Sequence, residues 1–147
     1  MILEREPVRL MLKVFAVAVG LFFVWEKLQM PYYEGFTYID LGSWIACLQA
    51  AFGDAIIVLG ILIVGRWLFG DWKWPVRYTV SRILFLLAAG LVAILAIEIS
   101  ADILDRWSYS EAMPYFTLAG YRIGWVAVAQ MLLMPFLTFR VAMSRPS

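Results

Sequence analysis

Asp54, Glu98 and Arg122 are ionisable residues set inside long apolar stretches. Their settings are Phe52-Gly53-Asp54-Ala55-Ile56-Ile57-Val58, Leu95-Ala96-Ile97-Glu98-Ile99-Ser100 and Leu118-Ala119-Gly120-Tyr121-Arg122-Ile123-Gly124. A charge at the centre of a membrane-spanning helix costs about 2.5–3.5 kcal/mol on insertion scales, so such residues pair with each other or mark a site. Two acids and one arginine leave a surplus carboxyl. That carboxyl is a candidate proton carrier for a transporter, or an acid or base for chemistry on a lipid. The same cluster can also pin three helices together, through polar contacts averaging about 0.6 kcal/mol each. The sequence favours the pinning role.

Glu98, Asp102 and Asp105 recur at i, i+4 and i+7. That spacing predicts an acidic stripe on one helix face, leading from the cluster to the outer surface. Gln130 is expected two turns deeper than Arg122, and Gln49 nearer the surface. Gly120 and Gly124 have the four-residue spacing of close helix packing. Gly53 and Gly60 lie one heptad apart. Pro135 predicts a kink and a freed carbonyl near Met131.

Other chemistry is excluded by residue counts. The chain has no histidine and a single cysteine, Cys47 in Trp44-Ile45-Ala46-Cys47-Leu48. Histidine-based metal sites, haem ligation and acid–base catalysis are therefore absent, as are intrachain disulfides. Cys47 reads as a small buried hydrophobe. No metal and no cofactor is expected. Net charge is +1, which speaks against nucleic acid as a partner.

The residues that must hold these groups in place are overwhelmingly apolar. Of 147 residues, 64% are hydrophobic and 16% charged, against about 45–50% and 25% in a soluble domain. Four stretches reach the roughly 20 apolar residues needed to cross a bilayer. They run at about 8–25, 44–69, 79–104 and 115–142. The expected fold is an all-α membrane protein, a single integral membrane domain over 1–147 with four transmembrane helices in an up-down bundle. The first span has Arg5, Arg9 and Lys13 ahead of it, as a signal peptide would. Trp25-Glu26-Lys27-Leu28-Gln29 offers no small-residue cleavage site, so it reads as an uncleaved anchor.

Arg5, Arg9, Lys13, Arg66, Lys73, Arg77, Arg82, Arg140 and Arg145 fall at one end of these spans, and only Lys27, Arg106 and Arg122 at the other. Positive residues mark the cytoplasmic side. Both termini are expected there, in a bacterial-type inner (plasma) membrane. Most acids, Glu26, Glu34, Asp40, Asp102, Asp105 and Glu111 among them, lie on the poorer side. Aromatic belts are expected at both interfaces. Trp67, Trp72, Trp74 and Tyr78 form the inner one. Trp25, Tyr32, Tyr33, Tyr38, Trp44, Trp107, Tyr109 and Tyr115 form the outer one. By the 1.5 Å rise per residue, Asp54, Glu98 and Arg122 then lie roughly 9–15 Å below the outer boundary.

Asp105-Arg106, together with a four-helix topology, superficially resembles lipoprotein signal peptidase, an intramembrane aspartyl protease. That family pattern needs an Asn shortly before the Asp-Arg and a second Asp in an Asn-x-Ala-Asp context. The fourth span opens Phe116-Thr117-Leu118-Ala119 instead, so the assignment is rejected. The segment Arg106-Trp107-Ser108-Tyr109-Ser110-Glu111-Ala112-Met113-Pro114 reads as an ordered outer loop, either docking a partner or covering a site.

With no soluble domain, phosphate loop, histidine or usable cysteine, the expected role is non-enzymatic. The chain reads as an accessory or assembly subunit of a larger membrane complex, with lipid and other membrane subunits as partners. The alternatives are an oligomeric proton- or ion-coupled transporter using Asp54, Glu98 and Arg122, and a lipid-modifying intramembrane enzyme.

Overall fold

The computed structural model describes residues 5–144. Arg145 lies outside the described residues. Four long helices carry the chain: α1 (Arg5–Gln29), α2 (Leu41–Phe69), α3 (Val80–Ile103) and α4 (Trp125–Met143). All four are long and apolar enough to cross a membrane. The shortest, α4, has 19 residues. At 1.5 Å per residue it extends about 28 Å, close to the thickness of a hydrocarbon core.

Side-chain pairings show that consecutive helices run antiparallel. Phe15 and Phe23 of α1 meet Phe52 and Trp44 of α2. Gly90 of α3 lies against Met131 of α4. Gln29, at the end of α1, reaches Gln130 near the start of α4. Helix α1 packs against both α2 and α4, and α3 packs against α4. Contact between α2 and α3 is sparse.

The fourth span is shorter than its apolar run, and the fold is not purely helical. Residues 115–124 form a hairpin of β1 (Tyr115–Leu118) and β2 (Tyr121–Gly124), paired antiparallel with Thr117 opposite Arg122. Ala119 and Gly120 both have positive φ, 50° and 87°, the geometry of a two-residue type I′ turn. Aromatic and β-branched residues on each side suit strands. Gly120 thus serves a turn, and Gly124 ends a strand and precedes α4. The expected helix-packing role of this pair is corrected accordingly.

The helix ends are satisfied locally. The Asp40 side chain caps α2 by accepting from the Ser43 N–H at 2.8 Å and the Ser43 hydroxyl at 3.0 Å. Gly70, at φ 73°, closes α2 in the left-handed conformation. At the end of α3, Asp105 takes the left-handed position at φ 51°. The Arg106 N–H then bonds the Ala101 carbonyl at 2.9 Å, a Schellman closure.

The connection between α2 and α3 tucks Trp74 inward. Its indole N–H donates to the Leu62 carbonyl at 3.0 Å, and Phe69, Phe85 and Phe139 surround the ring. Trp74 is fully buried, whereas Trp67 is 78% exposed. The expected interfacial role of Trp74 is therefore corrected: the side chain is a plug at the end of the bundle that carries the termini.

Candidate functional site: a carboxyl-lined cavity between the helices

A cavity of about 480 Å³ lies in the half of the bundle nearer the hairpin. Its polar wall carries Glu26 of α1, Asp54 of α2, Glu98 of α3 and Gln130 of α4. One side chain from each helix thus faces the same space. Glu98 and Gln130 are buried.

A chain of donors organises two of the acids. The Trp25 indole N–H donates to Gln29 Oε1 at 3.0 Å, and Gln29 Nε2 donates to Gln130 Oε1 at 3.3 Å. Gln130 Nε2 then donates to Glu26 Oε1 at 2.8 Å and to Asp54 Oδ2 at 3.0 Å. A carboxamide has two N–H donors, and here each serves one carboxyl. Asp54 is the fourteenth residue of the 29-residue α2, so it sits at the middle of that helix.

Glu98 stands across the cavity and accepts from the Tyr109 hydroxyl. The same phenol oxygen accepts the Gly124 N–H at 2.9 Å. The start of α4 is thereby tied to the buried acid of α3. Burial pushes the Tyr109 phenol pKa up, with the bond to Glu98 and its charge adding to the effect. Glu98 also borders a second hollow of about 100 Å³ with Asp102, Asp105, Tyr109 and Arg122.

The expected cluster is thus regrouped. Asp54 and Glu98 line one cavity, but Arg122 lies on β2 and is exposed. Its guanidinium sits 5.7 Å from the Tyr115 ring centroid. Among the described residues the only ion pair within 4.0 Å is Arg77–Asp71, between α2 and α3 at the opposite end. Asp102 is exposed on the last turn of α3, and Asp105 is exposed and shapes the helix end.

Two residues of the site escape a reading by composition. Glu26 looks like an interfacial acid because it adjoins Lys27, yet it turns into the cavity. Lys27 turns away, with Nζ 3.3 Å from the Trp44 ring centroid, a cation–π contact. Gln130 is visible as a polar residue in an apolar span, but its partners come from helices far away in sequence. The hairpin did leave a signal: two four-residue runs separated by Ala119-Gly120.

Cations lie at the edge of the cavity rather than on its acids. Arg106 is on the lining, with its guanidinium 5.4 Å from the Trp107 ring centroid. Among the described residues, no three acids stand close enough to share one metal ion. Glu26 and Asp54 converge on Gln130 Nε2, while Glu98 is bonded separately by Tyr109. No protein-family model matches this chain, and neither a curated protein nor a solved structure is similar to it.

Proposed function

We propose that this multi-pass membrane protein binds a small molecule bearing an amine, within the bilayer, as a carrier does. The observation that supports this reading is the convergence of Glu26, Asp54 and Glu98 on one cavity with no ion-paired cation among the described residues. Buried carboxylates are stable when a cation or several donors compensate them. Gln130 supplies two donors and Tyr109 one. An ammonium group, with three donors of its own, complements the remaining lone pairs.

The orientation that goes with this reading places both termini in the cytoplasm, from the arginine and lysine residues at that end. The membrane is a plasma membrane of bacterial inner type.

The test uses the full chain in lipid nanodiscs, titrated with butylamine, butyrate and butanol. Saturable binding of butylamine alone is expected, weakened about tenfold or more in Asp54→Asn and Glu98→Gln. Absence of amine binding overturns the reading. So does wild-type affinity in both variants.

The second reading is an accessory or assembly subunit of a larger membrane complex. It draws on Ile39 and Leu41, which stand 97% and 73% exposed where the α1–α2 connection enters α2. Such a subunit co-purifies in mild detergent with a defined partner, and Ile39→Ser with Leu41→Ser loses that partner.

A further inference from the structure

The cavity has a stitched roof, a packed floor and an open side. The roof is made by two connections stitched together. Tyr33 and Tyr109 form an antiparallel bridge. The Glu34 N–H bonds the Ser108 carbonyl at 3.0 Å, and the Ser110 N–H bonds the Tyr32 carbonyl at 2.9 Å. The Ser110 hydroxyl donates to the Pro31 carbonyl at 2.7 Å. Beneath these bonds, Phe36 and Trp107 stand edge-on to the Tyr33 ring, and all three line the cavity. The floor is the packed core, where Val58, Leu62 and Phe139 are fully buried.

The open side lies between α2 and α3, the neighbours that touch least. Ala46, Ala50 and Gly53 line the cavity from α2 at i, i+4 and i+7, one face of the helix. Ile94 and Ile97 face them from α3. Ala50 and Gly53 are exposed although they line the cavity, which puts them at its mouth. In a membrane-spanning bundle this mouth opens onto acyl chains rather than water.

We propose that the ligand enters sideways from the bilayer through the α2–α3 gap, and that it is a lipid-dissolved long-chain amine. This rests on the amine-binding reading above. The carboxyls take the ammonium head, and the small-residue face of α2 with Ile94 and Ile97 takes the alkyl chain. Polar groups at one end and apolar walls at the other are the usual construction of an amphiphile site. The volume falls within the roughly 300–1,000 Å³ of ligand pockets. The stitched roof obstructs entry from above, which requires opening two backbone bonds, one hydroxyl bond and an aromatic stack.

The experiment compares dodecylamine with butylamine on the full chain in nanodiscs, subtracting uptake by empty nanodiscs. The double variant Ala50→Leu, Gly53→Leu narrows the mouth without altering a polar group. A Cβ added at Gly53 meets nothing within 4 Å, so a side chain there has room to start. An unchanged thermal transition checks this. Wild type is expected to bind dodecylamine at least about tenfold more tightly than butylamine. The double variant loses that advantage and keeps its butylamine affinity. Unchanged dodecylamine binding in the variant overturns sideways entry while leaving the amine site intact. Butylamine bound as tightly as dodecylamine overturns it too. If neither amine binds wild type, the amine site itself is wrong and the proposal falls with it.

Discussion

The carbonyl of Met131 meets the backbone of Gly90. A Cβ built on Gly90 would stand 2.5 Å from that oxygen. Pro135, four residues on from Met131, has no N–H to bond the Met131 carbonyl within α4. The carbonyl freed by the proline therefore lies against the one residue of α3 that lacks a side chain. Close approach of this kind is how helices pack where lipid removes the hydrophobic drive for association.

Gly90→Ala is expected to push α3 away from α4. Overpacking costs about 1–3 kcal/mol. Thermal unfolding of the purified chain in detergent should show a lower midpoint, with helix content by circular dichroism retained at low temperature. An unchanged midpoint would mean that the two helices are not in contact there.

Trp74 and Gly65 form a second steric pair. A Cβ on Gly65 would collide with the Trp74 ring. Trp74→Ala removes a fully buried indole, a change that costs about 3–5 kcal/mol in packed cores. Gly65→Ala should displace the same ring. Both variants should show increased Trp74-region proteolysis between α2 and α3, whereas Trp67→Ala, at an exposed position, should not.

Tyr109 predicts an alkaline limit to stability. Burial raises its phenol pKa first, and the bond and charge of Glu98 raise it further. Below pH about 10 the phenol is protonated in both folded and unfolded chains. Above that value the unfolded chain releases its proton while the folded chain keeps it. Stability therefore falls as pH rises through the interval up to the folded value. The unfolding midpoint should decline above pH about 10 in wild type and less steeply in Tyr109→Phe. A phenol that titrates at the ordinary tyrosine value by ultraviolet absorbance would sink this prediction.

Arg122 and Gln130 should exchange the importance their sequence settings suggest. Arg122→Gln alters an exposed side chain and should shift stability by no more than about 0.5 kcal/mol. Gln130→Leu leaves Glu26 and Asp54 without their shared donor. Leaving a buried acceptor without its partner costs about 1–3 kcal/mol, so a loss above about 1 kcal/mol is expected. Denaturant or thermal unfolding in one detergent ranks the two variants directly.

Asp105 is expected to act through backbone conformation rather than charge. Asp105→Gly should keep or raise the unfolding midpoint, because glycine adopts φ 51° freely. Asp105→Val should lower it, since a β-branched residue is strained there. Equal losses in both variants would instead point to the carboxyl.

The four apolar spans are legible in the amino-acid order because a long apolar segment crossing lipid satisfies its backbone polar groups within itself as a helix. The position of Asp54 and Glu98 within those spans is legible for the same reason. What faces what is another matter. Helices apolar on every side carry no periodic stripe to show which side packs inward. Only the tertiary structure therefore brings Glu26 to Asp54 through Gln130, and Glu98 to Tyr109. The apolar run ahead of α4 masks most of the hairpin's signal, because residues 115–124 are apolar enough to continue a span. Its strands form where Ala119 and Gly120 turn the chain back and the Tyr109 hydroxyl takes the Gly124 N–H. That one turn removes Arg122 from the bundle and places it on the second hollow beside Glu98, off the main cavity. The sequence sets which residues can enter the bilayer, through transfer free energies summed along each span. The packing of helices and the stitching of two connections decide which of them share a cavity.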